Sequence, residues 1–218
     1  MKRILILILF LFNACAGSGT YPEWKIRSKD SLERFQHLFL QGNDRLAGSE
    51  FEKAGSEIAK TGNLKIAAQA GLVRCAMRVA SLDFAPCTDF VRFEKEVGAE
   101  EIAYFHFIEG NWDQADLRRL PDQYRPLLRA ADTAKLNRAA QQIQEPVSRL
   151  IAAALLFKKG RIEPETMSVA LETASDQGWR RPVLAWLMVM LRRAEASGDA
   201  EGVEHLKNRI KLVSGSDS

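Results

Sequence analysis

After residue 31, apolar residues recur at every third or fourth position along nearly the whole chain. This period constrains the fold more than any other feature of the sequence. Leu32, Phe35, Leu38 and Phe39 share one stripe of a helix expected over 31–41, which Gly42-Asn43 stops. Ala47, Phe51, Ala54 and Ile58, at spacings of 4, 3 and 4, mark a second helix over 44–61. The third, over 64–80, is apolar on most sides through Ile66, Ala67, Ala70, Val73, Met77 and Ala80, the pattern of a helix sandwiched between neighbours. Valine and threonine are too few and too scattered for a strand, so an all-α chain is expected.

A break at 81–86 is followed by helices expected over 88–97 and 99–109 and by a short one from Trp112 toward Leu120-Pro121. The remaining helices fall at 124–131, 133–144, 147–159, 164–177, 182–197 and 199–213. Pro146, Pro164 and Pro182 stand near helix starts, where a missing amide proton costs nothing. The most buried pieces should be 150–157 and 183–191, with Trp186 in the core.

The joints are Gly62-Asn63, Gly110-Asn111 and Gly198-Asp199, and 51–76 alternates Ala, Gly and large residues so that helices can approach closely. The run Gly110-Asn111-Trp112, with Ala115 three residues on, resembles tetratricopeptide-type helical hairpins. The hinges lie 48 and 88 residues apart rather than on the family's grid of about 34. The resemblance therefore implies a degenerate tetratricopeptide-like solenoid or a compact helical domain, with an irregular helical bundle as the alternative.

The N-terminus carries an address. Lys2 and Arg3 precede the unbroken apolar run Ile4–Phe12, too short to span a bilayer, and small residues follow, as in a bacterial export signal. A buried N-terminal element is the alternative, but Lys2-Arg3 before the run and Gly17-Ser18-Gly19 after it do not suit a packed segment. The segment Leu11-Phe12-Asn13-Ala14-Cys15 resembles a bacterial lipobox, departing from it at Phe12 and Asn13. That resemblance implies cleavage before Cys15 and acylation of its thiol and new amine. The rival cleavage site Ala14-Cys15-Ala16 would release a soluble protein beginning at Gly17. Each buried methylene contributes about 0.8 kcal/mol, so several acyl chains anchor stably. Ala16, where an inner-membrane retention signal would have Asp, implies the periplasmic face of the outer membrane. The domain reading is a signal peptide over 1–14, a tether over 15–27, a helical-repeat-like domain over 28–213 and a tail over 214–218. Tyr21 and Trp24 either lie at the membrane interface or strap onto the first helix.

No reaction is legible. The 218 residues are 46% hydrophobic, a globular composition, and without Lys2 and Arg3 there are 29 basic residues against 28 acidic. That near balance gives no reason to expect a nucleic-acid partner. His37, His106 and His205 fall on three different helices, with no ligand spacing that would make a metal site. Nucleophile elbows and phosphate loops are absent from the sequence, and Glu57, Glu101 and Glu172 are ordinary helical glutamates. Neither catalytic residues, nor a metal, nor a cofactor is expected. Cys75 and Cys87 remain after Cys15, and an oxidising periplasm makes them candidates for a disulfide. The bridge requires the 81–86 loop to fold back, and two small buried residues are the alternative.

Residues 94–122 hold 8 acidic and 3 basic side chains, whereas 123–161 hold 2 acidic and 8 basic. The two stretches either pair within the fold or present opposite charges to partners. Trp179, Arg180 and Arg181 form a compact aromatic and basic cluster that either grips a partner or staples a helix start, and Trp112 is a second candidate partner contact. Residues 146–191, with Ser148-Arg149-Leu150-Ile151 and Gly178-Trp179-Arg180-Arg181-Pro182, are similar to segments of uncharacterised proteobacterial lipoproteins, a resemblance that implies no activity. The expected function is non-enzymatic scaffolding of an envelope protein from a membrane anchor, in assembly, secretion or pilus biogenesis. The alternatives are a cell-wall or small-ligand-binding lipoprotein or an accessory to a wall enzyme, and, with least support, a hydrolase.

Overall fold

The computed structural model describes residues 22–215, and every regular element among them is helical. The all-α expectation holds. The signal, Cys15 and the expected tether up to residue 21 lie outside the described residues, as does the tail from 216. Eleven α-helices follow in order among the described residues. They are α1 (Glu23–Leu40), α2 (Asp44–Ala59), α3 (Leu64–Ala80), α4 (Thr88–Val91), α5 (Ala99–Glu109), α6 (Arg125–Arg129), α7 (Thr133–Gln142), α8 (Pro146–Lys158), α9 (Pro164–Asp176), α10 (Arg180–Ser197) and α11 (Ala200–Ser214).

The single domain read over 28–213 is divided into two contact units. One gathers 22–39, Asn43–Met77 and Ala85–Leu120, and the other Leu40–Gly42, Arg78–Phe84 and the chain from Pro121. In the first unit Leu32 of α1, Ala54 and Ile58 of α2 and Ala70 of α3 form a buried cluster onto which Phe51, Ile66 and Ala67 pack. Phe35 extends it, with ring centroids 5.6 Å from Phe39 and 5.1 Å from Phe51. α3 is buried on most sides beyond its first turn, where Leu64 and Lys65 are exposed, and Arg74 is exposed between buried Val73 and Cys75.

α1 begins at Glu23, eight residues before the expected start, so 23–27 is helix and not tether. The Pro22 carbonyl accepts the amides of Lys25 and Ile26, which places a proline where a helix start tolerates one. Helix 88–97 also shrinks, to α4 and a 3-10 turn over Glu94–Glu96. Glu94 and Glu96 would set two carboxylates at a helix C-terminus, where the dipole disfavours them.

α4 meets α3 at a glycine. A Cβ on Gly71 would stand 2.8 Å from the backbone carbon of Asp89 and 2.8 Å from the amide nitrogen of Phe90. No flexible side chain can yield there, and Phe90 is itself fully buried against Phe105, with centroids 4.6 Å apart. Gly71→Ala is therefore expected to cost about 1–3 kcal/mol by overpacking, despite alanine's better helix propensity. Chemical denaturation measures it, and an unchanged or raised midpoint would contradict the close approach.

In the second unit each helix from α6 to α11 packs on the next, and α7 also reaches α9. α8 lies at the centre, with every residue from Leu150 to Leu156 buried, as the sequence predicts. α10 differs from the expectation for 183–191. Val183, Trp186, Leu187 and Leu191 are buried while Met188 is exposed, so this all-apolar stretch is fully buried on one face only.

Two carboxylates, buried Glu50 and half-buried Glu101, bind the first unit together. Glu50 of α2 accepts hydrogen bonds from Lys53 (2.6 Å) and from Arg34 of α1 (2.7 Å), which hold its carboxyl below the ordinary value of 4.5. Burial pushes Glu101 of α5 upward, but bonds from Gln69 of α3 (2.7 Å), from its own backbone amide and from Lys65 outweigh it, and the carboxyl is lowered. Its second oxygen accepts the Gly98 amide at 3.0 Å, closing the start of α5. Both groups ionise more readily in the folded than in the unfolded chain. Their stabilisation is complete above pH 4.5 and is lost as pH falls through the lowered folded values. The thermal midpoint is expected to drop on acidification through that window, and a Glu50→Gln, Glu101→Gln double variant should show a shallower drop. Equal slopes would contradict the assignment.

Candidate functional site

Of the residues expected to contact a partner, Trp179 is buried, Trp112 and Arg181 are half-buried and Arg180 is exposed. Trp179 caps the start of α10 and is only 5% exposed, so it is a core residue rather than a surface contact, which corrects that expectation. Its amide donates to the Ala174 carbonyl at 2.9 Å and its carbonyl accepts the Val183 amide at 3.1 Å, joining the end of α9 to α10. Arg180 is exposed and reaches the Ser214 carbonyl at the end of α11, 3.4 Å away, where a cation complements the helix dipole. Arg181 is half-buried. The cluster is thus a helix junction, as the stapling alternative holds.

Trp112, in the other unit, finishes α5. Its indole N–H donates to the Phe107 carbonyl at 3.1 Å, and its ring stacks on Phe107 at 5.9 Å and 12°. Gly110 supplies the left-handed residue (φ 82°) that ends the helix, and the Asn111 amide closes back on His106. The Gly-Asn-Trp run therefore builds a helix stop. The expected helix from Trp112 shortens to a 3-10 turn over Leu117–Arg119, whose first turn Asp116 caps through the Arg118 amide.

The histidines stay apart, on α1, α5 and α11. An open groove of about 550 Å³ runs along α1 beside Asp30, Glu33, Arg34, His37 and Leu38. Four of these five side chains are ionisable, which suits a solvated helix face better than the closed apolar pocket of a small-ligand binder.

Among the described residues a convergence of reactive side chains lies at the end of α3. Cys75 of α3 and Cys87, which precedes α4, are joined as a disulfide with Cα atoms 5.5 Å apart, and both are buried. The turn between them folds back through Leu82 in a left-handed conformation (φ 61°) and through Asp83, whose amide donates to the Arg78 carbonyl at 2.9 Å. Half-buried Glu109, the last residue of α5, joins the pair, so that both sulfurs and a carboxylate oxygen lie within 4.8 Å of one another. Sequence spacing gave no hint of this third member. Glu109 lies 22 residues beyond Cys87, and only the packing of α5 on α3 and α4 brings it there.

Among the described residues no helix is long and apolar enough to cross a membrane. No family model, curated protein or solved structure matches the chain.

Proposed function

We propose that this chain is a lipid-anchored protein of the outer membrane's periplasmic face that scaffolds another envelope protein and catalyses no reaction. The lipobox-like segment ending at Cys15 supports the anchor. The scaffold rests on one observation, the stacking of α6 to α11, each helix packed on the next and α7 reaching α9. Helices stacked in this way bury one side each and leave another side for a partner segment. α10 and α11 carry such sides, with Arg192, Arg193 and Lys207 exposed and Leu212 79% exposed.

Tethering supplies the mechanism. Lipid confines the helical domain to the membrane, raising the effective concentration of any partner held on the same surface without a new contact. In-cell crosslinking of the wild type beside Cys15→Ser, with captured proteins identified by mass spectrometry, tests it. The reading expects a reproducible envelope partner that is weakened in the Cys15→Ser variant. Capture of cell-wall fragments without a protein in both samples would contradict it and favour the wall-binding alternative.

A further inference from the structure

We propose that Cys75, Cys87 and Glu109 form a metal site for a zinc-class dication, which the Cys75–Cys87 disulfide closes and a dithiol reductant opens. Two sulfurs and one carboxylate oxygen suit a borderline-soft dication, and the fourth tetrahedral position is left to water. With Zn–S near 2.3 Å and Zn–O near 2.0–2.2 Å, tetrahedral ligand atoms stand roughly 3.3–3.8 Å apart. The carboxylate oxygen and both sulfurs lie within 4.8 Å of one another, and on reduction the two sulfurs, no longer bonded, must part from about 2 Å to about 3.8 Å to share a dication.

The surroundings favour a cation. Glu109 ends α5, where the partial negative charge of the helix terminus lies beside its carboxylate. The ligands are held from three sides. Cys75 lies between buried Val73, Ala76 and Met77 on α3, Cys87 is followed by buried Phe90, and Glu109 by two residues follows buried Phe107. Half-buried Glu109 is the member that faces the solvent from which an ion would enter.

The chemistry balances. A thiolate of the dithiol attacks one sulfur of the disulfide, forming a mixed disulfide and releasing the other sulfur as a thiolate that takes up a proton. The reductant's second thiol then resolves the mixed disulfide. Two electrons and two protons pass to Cys75 and Cys87, and the reductant leaves as its own disulfide. Binding of the dication then displaces both thiol protons to solvent. The oxidised protein offers no thiolate and binds nothing there. The reduced protein exchanges a covalent staple for a metal-held one, and Cys87 stays tied to Cys75 of α3 in both states.

The test titrates Co²⁺ and then Zn²⁺ into the purified full chain, oxidised and reduced. The reduced wild type is expected to take one equivalent of Co²⁺ with thiolate charge-transfer and tetrahedral ligand-field bands, which Zn²⁺ abolishes and the oxidised protein never shows. Glu109→Gln, with its helical circular dichroism and disulfide intact, is expected to bind at least 10-fold more weakly. Zn²⁺ should also raise the thermal midpoint of the reduced wild type and leave that of the oxidised protein unchanged. Absence of thiolate–Co²⁺ bands in the reduced wild type, equal binding by Glu109→Gln, or equal thermal responses of the two redox states would each overturn the site.

Discussion

Trp186→Ala is expected to destabilise the protein by about 3–5 kcal/mol, the usual cost of emptying a fully buried indole site. Trp186 is 0% exposed in the middle of α10. Its ring meets Phe157 of α8 edge-on at 6.0 Å, and Phe157 in turn lies 6.5 Å from Phe84, so three aromatic rings make one row in the second unit. Alanine would leave a cavity beside a helix that has no freedom to collapse, because Leu150 to Leu156 are all buried already. Trp186→Phe is the informative control. The indole N–H is buried with no acceptor among the described residues, so phenylalanine removes an uncompensated donor as well as volume. Its cost should be well under half that of alanine. Urea denaturation with an unchanged slope reads both. A loss below about 1 kcal/mol for Trp186→Ala would mean that this core is not packed as described.

The second large effect is polar. Asn137 of α7 is 1% exposed and makes three hydrogen bonds, donating to the carbonyls of Thr133 and Arg161, each at 2.8 Å, and accepting the Glu163 amide at 2.9 Å. Two of these reach the 161–163 loop between α8 and α9, so one amide side chain fixes how that loop returns past α7. Asn137→Leu keeps the volume but leaves the Arg161 carbonyl and the Glu163 amide unpaired. At about 1–3 kcal/mol per buried unsatisfied group, a loss of about 2–4 kcal/mol is expected. Asn137→Asp should be at least as damaging at neutral pH, because it sets a carboxylate against two carbonyls. Acidification should recover part of that loss, since a protonated acid can donate one of the bonds. An Asp variant as stable as wild type at pH 7 would refute the assigned donors.

Helix interiors were legible because their burial is apolar and periodic. α3 and α5 begin and end where the stripe and the glycine stops place them. The early start of α1 was hidden because its buried face continues toward the N-terminus through Ser28 and Ser31, both buried, and a hydrophobic period does not register serine. The sequence left two readings of Trp179 open for a related reason. Flanked by Gly178 and two arginines it looks like a surface cluster, yet the backbone turn from α9 to α10 points its ring inward and leaves Arg180 outside. The contribution of Asn137 was likewise unreadable, because a lone asparagine in a helix gives no sign of which loop it will clasp. Glu109 shows the limit most plainly, since its neighbours Cys75 and Cys87 come from two other elements.

If the proposed lipid tether holds the helical domain, its acyl chains sit on the N-terminus of the mature protein. Intact-mass and N-terminal peptide spectrometry of membrane-extracted protein is predicted to give a chain beginning at Cys15, with diacylglycerol on its thiol and an acyl group on its amine. An unacylated chain beginning at Gly17 would contradict the anchor.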